Sequence, residues 1–465
     1  MKKIYLLMVA FSMTWASVLA NNIQLSGVGL SGQNTVSDFS LIGFSVNWEN
    51  SWRVANNENN WDAAWIFAKF RKKGASQWQH ATLNTSGHTA ATGATISTPA
   101  DGKGVFIYRS AAGIGSVDFT GNNLRWNYGV DGVLDSDSVE VNVFACEMVY
   151  VTSGAFYLGS NGDETGHFRR GDKDTTYLLS SENPITVGPA ASNLTFTGST
   201  FTGTPAGPIP AAYPKGFNAF YCMKYECSEQ QYVDFLLNLD ATRSNNRNMA
   251  AGIVNGTYPN FTAAAPERAL GAASFQDMAA YSDWAGLRPM TELEYEKASR
   301  GFNIAPQINE NAWGNTTVIT STGVVNPGLD NETVTTGNVN HGNAIGRPLR
   351  TGIFANTLSN RVSSGGTYYG IMEMSGNVME PVITVGNAAG RTFTGQHGDG
   401  NLDVDGLTDN TQLTAGSTWG YRGGSYSDGV AILKLSDRFL ANRGASIGNN
   451  SRAANYGIRC VRTAP

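Results

Sequence analysis

The residues best placed to do chemistry in this 465-residue chain are oxygen donors set into a short apolar stretch, Tyr369–Val382. There Gly376 and Asn377 interrupt a run of Met372, Met374, Val378 and Met379, and Glu380 follows. A Gly-Asn pair inside an apolar run is costly unless the backbone bends there and the Asn side chain satisfies buried groups. Glu380 needs a cation or donor beside it, because a buried carboxylate without one is strongly penalised. Two readings are open. One is a kinked core segment with a single ion pair. The other is a cation site made of the Ser375, Gly376 and Val378 carbonyls and the Glu380 carboxylate, an all-oxygen set that suits calcium.

A second oxygen-rich stretch runs from His397 to Asp409, where Asp399, Asn401, Asp403 and Asp405 alternate with small or apolar residues. Oxygen side chains at every second position let a loop wrap a hard cation, again calcium. It lacks the glutamate that closes a twelve-residue calcium loop, and a solvated acidic turn is the simpler reading. The five histidines, His80, His88, His167, His341 and His397, are isolated, and no spacing puts two on one helix face.

Four cysteines, Cys146, Cys222, Cys227 and Cys460, read as two structural disulfides in an oxidising compartment. Cys222 and Cys227 lie at odd spacing in a strand-like run and point to opposite faces. The expected bridges therefore join Cys146 and Cys460 each to one of that pair. The compartment follows from residues 1–20, which read as a secretory signal. Lys2 and Lys3 precede an apolar run from Ile4 to Phe11, and Val18-Leu19-Ala20 offers the cleavage site. No later stretch is long and apolar enough to span a membrane. The mature chain is expected in the periplasm, on the cell surface or secreted. A net charge of -5 without a basic block gives no nucleic-acid footprint.

The elements that must hold these residues fall into two parts. Residues 21–146 look all-β: short aromatic and β-branched runs such as 42–48, 63–70, 104–109, 123–128 and 139–146 alternate with turn clusters, the profile of a sandwich. Trp48, Trp52, Trp61, Trp65, Trp78 and Trp126 are expected mainly in its core. Residues 147–465 hold few helix signals. Ser228-Glu-Gln-Gln231 and Thr291-Glu-Leu-Glu294 have capping-box spacing, and Ser274 with Asp277 opens a helix that Gly286 ends. The remainder is rich in glycine and asparagine.

Six ordered motifs then resemble the formylglycine-generating enzyme (sulfatase-modifying factor) family. They are Met148-Val…Gly154-Ala-Phe…Leu158-Gly159, Phe220-Tyr-Cys-Met-Lys-Tyr-Glu226, Ala285-Gly-Leu-Arg-Pro-Met-Thr291 with the helix after it, Tyr369-Gly…Gly376-Asn-Val378…Glu380, Arg422-Gly-Gly-Ser-Tyr426 and Tyr456-Gly-Ile-Arg-Cys-Val-Arg462. The resemblance implies an α+β, C-type-lectin-like domain with little regular secondary structure over 147–465, preceded by the β-sandwich-like domain. It also implies calcium at Ser375, Gly376, Val378 and Glu380, although Pro381 replaces the usual Trp. The copper-dependent enzymes of the family carry two cysteines after the Arg-Gly-Gly-Ser motif, since Cu(I) needs soft thiolates. Here those positions fall on Asp428 and on Ile432 or Leu433, so no copper and no catalytic residue is expected. The helical histidine triad of the iron-dependent branch has no counterpart either. Asp428, Lys434, Arg438 and Arg443 fall around the family's pocket, where they can meet a ligand or simply bond a loop-rich core. The expected function is an exported pseudoenzyme that binds a cell-surface glycan or envelope protein. The alternative is a metal-dependent oxidoreductase.

Overall fold

The computed structural model describes residues 22–56, 59–196 and 205–465. The signal expected over 1–20 lies outside them. The chain begins with eight strands: β1 (Gln24–Asn34), β2 (Phe39–Arg53), β3 (Asp62–Lys72), β4 (Gln79–His80), β5 (Ala94–Ser97), β6 (Val105–Arg109), β7 (Gly113–Trp126) and β8 (Val139–Val151). Five more complete the main sheet: β9 (Phe220–Met223), β10 (Arg288–Thr291), β11 (Glu380–Ile383), β12 (Trp419–Arg422) and β13 (Cys460–Thr463). Among the described residues, the loops between them also carry one small four-stranded sheet and three two-stranded ladders. Helices α1 (Glu229–Leu237), α2 (Ala241–Arg247), α3 (Phe275–Trp284) and α4 (Glu292–Arg300) pack beside that sheet.

β2 has the period-two pattern of a half-buried strand. Ile42, Phe44, Val46 and Trp48 face inward while their neighbours are half exposed. With β1 and β7 it forms a three-stranded antiparallel sheet. β3 differs: Asp62 to Phe70 are all buried, the signature of a strand covered on both faces. Ala64, Ile66, Ala68 and Phe70 join the β2 and β7 side chains in one apolar cluster. Ala63, Trp65 and Phe67 face the other way, toward α1 and α3.

The main sheet runs β12-β11-β10-β13-β9-β8-β3-β6-β5, with β4 attached to β3. Its pairs are antiparallel except β10 with β11, where Met290 and Thr291 meet Val382 and Ile383. β8 passes through residues 146 and 147 and pairs with β3 on one side and β9 on the other. The N-terminal strands β3 to β6 thus share one sheet with β8 and the strands that carry the motifs, while β1, β2 and β7 form the second sheet. Mixed helix and strand confirm the α+β class.

The expected disulfides are corrected: all four cysteines are buried free thiols. Alternation along the sheet explains part of this. Cys222 faces a cluster with Val149, Val151 and Val461, whereas Cys146, Cys227 and Cys460 face the opposite core. Burial raises every thiol pKa, that of Cys222 to about 12. Among the described residues, no helix is long and apolar enough to cross a membrane.

Candidate functional site

α4 sets the frame. Its Thr291 cap accepts from the Glu294 backbone N–H while the Glu294 side chain returns to the Thr291 N–H, closing the anticipated capping box. All nine of its residues are buried although five are charged. Such a helix survives inside a core only if its charges are paired or bonded. Four of the five sit in ion pairs, while Lys297 donates to the Gly154 carbonyl at 2.5 Å and burial lowers its pKa to about 7. Arg288 holds Glu294 by two bonds, 2.8 and 2.6 Å. Arg300 bridges Glu296 at 3.0 Å and Glu310 at 2.6 Å. Arg422 reaches Glu296 at 2.9 Å, and Arg438 holds both oxygens of Glu292 at 2.7 and 2.8 Å. The motif arginines 288 and 422 are therefore struts of a buried ion-pair lattice.

Against this frame lies the 369–382 segment. Asn377 adopts φ 59° and Gly376 φ 90°, the bend anticipated from the sequence. A Cβ at Gly376 would stand 2.5 Å from Val339 Cγ2 and 2.7 Å from the Asn340 carbonyl oxygen, so only glycine fits. Asn377 Oδ1 accepts from the Leu349 N–H at 2.8 Å, and its Nδ2 donates to Glu226. Glu226 also accepts from the Val378 N–H at 2.9 Å.

Glu380 Oε1 accepts from Arg459 Nε at 3.1 Å, so the single ion pair of the simpler reading is present. Its other oxygen, Oε2, is buried and finds no hydrogen-bond partner among the described residues. Gly423 leaves space beside that oxygen, where a Cβ would approach Oε2 to 2.6 Å. Glu226, Glu373 and Glu380 surround Arg459, and burial raises all three carboxyl pKa values. Glu373 is pushed to about 7 and Glu380 to about 8, with Arg459 offsetting part of the burial.

The four expected pocket residues are taken up separately. Asp428 accepts from Ser425 Oγ, and Asn455 Nδ2 donates to Ser425 and Ser427 at 3.2 and 3.1 Å. Lys434 pairs with Asp163 at 2.6 Å near the surface. Arg438 is fully buried, with Phe168 and Phe196 ring centres 3.9 and 4.1 Å from its guanidinium carbon. Arg443 is exposed.

Asp403 Oδ1 accepts from the Asp405 and Leu407 N–H groups, which makes a turn of its own, and Asp399 Oδ1 accepts from the Asn401 N–H. Asp399 instead gathers with Asp409 and with Asp283 of α3, their ligand oxygens all within 4.8 Å of one another. Burial, reinforced by Asp409 and Asp399, raises the Asp283 pKa to about 6. Asp283 lies more than a hundred residues upstream, and no local pattern marks it. Each histidine bonds elsewhere: His80 to the Lys103 carbonyl, His88 to the Arg125 N–H, His167 to the Glu164 carbonyl, His341 to Thr320 and His397 to the Thr463 N–H.

No curated protein matches the chain. Residues 135–464, from the turn before β8 to the end of β13, match the family model described as the sulfatase-modifying factor enzyme 1-like domain. That span includes α4, its arginine struts, the bent 369–382 segment and the closing strand, and the chain belongs to the sulfatase-modifying factor family.

Proposed function

We propose that the protein is an exported, non-catalytic member of this family that serves as a binding or structural module of the cell envelope. The observation that carries this reading is the residue set where the copper-dependent enzymes place cysteines. Asp428 is held by Ser425, and Leu433 is buried with its carbonyl accepting from Ser375 Oγ at 2.7 Å. A carboxylate and a hydrocarbon are poor ligands for Cu(I). The thiols that exist sit in packed core with raised pKa values, far from metal-ligand character.

Calcium is the metal of this proposal. The unpartnered Glu380 Oε2, in a cluster where three carboxylates share Arg459, fits a divalent cation, and Ser375, Gly376 and Val378 would complete it through their carbonyls. Asp399 with Asp283 and Asp409 is the looser alternative in the second loop. Residues 147–465 would then form a C-type-lectin-like domain and 21–146 a sandwich-like one, supported by the apolar cluster between the two sheets. A surface glycan or an envelope protein is the ligand class.

Metal analysis of the mature chain tests the reading: calcium without copper or iron is expected. One equivalent of copper or iron, lost on replacing Asp428, overturns it in favour of a metal-dependent oxidoreductase. A glycan array with the same material then separates a carbohydrate ligand from a protein partner.

A further inference from the structure

A cleft of about 680 Å³ opens between the start of β1, β8 and helices α1 and α3. That size is within the range of roughly 300–1,000 Å³ typical of ligand sites. It shares no lining residue with the 369–382 segment or with Ser425–Asp428, so it stands whether or not the chain is catalytic.

Its charge is one-sided. Asp234, Glu267 and Asp330 line it, and among the described residues no lysine, arginine or histidine does. Gln230 Nε2 donates to Asp234 at 2.8 Å, and burial pushes the Glu267 carboxyl up to about 7, with Arg350, outside the lining, offsetting part of that rise. The wall also carries Phe144, Tyr281 and Trp284. Trp284 is only 3% exposed, yet its indole N–H finds no acceptor among the described residues. Buried indole N–H groups normally have one. Trp284 lines both this cleft and a smaller one beside Asn401 and Leu402, so its unmet N–H is open to an acceptor that enters from either side.

β1 supplies the opposite wall. Among the described residues it is an edge strand, paired only with β2 in the three-stranded sheet, and its eleven residues Gln-Leu-Ser-Gly-Val-Gly-Leu-Ser-Gly-Gln-Asn are largely exposed. They include none of the charges or prolines that usually blunt an edge. Such an edge offers backbone donors and acceptors to an added strand.

We infer that this cleft binds an extended, lysine- or arginine-bearing segment of a partner protein, laid along β1. Its basic side chains face Asp234, Glu267 and Asp330, and one of its acceptor atoms meets Trp284 Nε1. Backbone pairing supplies affinity, and the acidic wall selects the charge.

Calorimetric titration of the mature chain with the peptide acetyl-Gly-Lys-Val-Lys-Val-Lys-Gly-amide tests this. Three probes accompany it: the glutamate counterpart, the lysine peptide N-methylated at alternate residues, and spermidine. The lysine peptide should bind and perturb tryptophan fluorescence, the glutamate peptide should not, and N-methylation should weaken binding about tenfold or more. The double variant Asp234→Asn, Asp330→Asn should also weaken it about tenfold, with its unfolding midpoint unchanged. Trp284→Phe should remove the fluorescence response. Equal binding of both charges, undiminished binding of the N-methylated peptide, spermidine binding as tightly as the peptide, or no effect of the double variant each overturns the inference.

Discussion

Glu292 and Arg438 stand 146 positions apart and meet through two parallel hydrogen bonds, both side chains fully buried. Two aromatic rings lie against the guanidinium. Of the two roles open to Arg438, a ligand contact in the family's pocket region or a bond within the loop-rich core, these contacts are of the second kind and fasten α4 to the loop after β12.

Arg438→Met should therefore destabilise the fold by about 3–5 kcal/mol, because it leaves a buried carboxylate undercompensated. Arg438→Lys should not restore it, since a point charge cannot reproduce the two-point contact. Lys434→Met removes a pair whose Asp163 partner is 77% exposed, and should cost less than about 1 kcal/mol. Urea unfolding midpoints measure all three. Similar losses at positions 434 and 438 would contradict the distinction.

The carboxylates around Arg459 predict a pH dependence. Glu373 and Glu380 keep their protons up to about 7 and about 8 in the folded chain. An unfolded glutamate ionises near 4.3, roughly, so between those values the folded state binds more protons. Stability must then fall as pH rises from about 5 to 8, by at most about 1.4 kcal/mol per unit for each group. Bound calcium favours the ionised carboxylates and should flatten that fall. Melting curves at pH 5 and 8, in EDTA and in calcium, decide it. The same slope in both would remove calcium from Glu380.

Gly423→Ala places a Cβ 2.6 Å from Glu380 Oε2 and 2.9 Å from the Met374 carbonyl oxygen, at φ 85°. It should cost about 1–3 kcal/mol or more and abolish any calcium effect on melting. Gly429→Ala meets nothing within 4 Å and has no such backbone constraint, so it should be near neutral.

Thiol counting checks the correction to the disulfides. Four buried free cysteines should react slowly or not at all in the native chain and fully in denaturant without reductant. Two or none reacting in denaturant would restore one or both bridges.

Local signals were legible before the structure. The caps at Ser228, Ser274 and Thr291, the stop at Gly286 and the bend at Gly376-Asn377 all depend on residues within a few positions of one another. The alternation of β2 also reads directly. Long-range pairing does not: nothing near Asp283 announces Asp399 and Asp409, and nothing near Arg438 announces Glu292. Composition likewise divides the chain near residue 146, yet hydrogen bonding carries one sheet through that point, because β8 pairs with β3 from residue 139 to 149 and β3 is buried on both faces. The cysteines misled for a related reason. Strand direction set Cys222 on the other side of the sheet from its expected partners, a fact fixed by neighbours far away in sequence.

Oxygen uptake by the mature chain, loaded with Cu(I) and given a cysteine-containing peptide, measures the absence of the family's chemistry most directly. Uptake no faster than that of the peptide with free copper, and no aldehyde in the peptide by mass spectrometry, is the expected result. Sustained turnover yielding a formylglycine residue, abolished by Asp428→Ala, would contradict it.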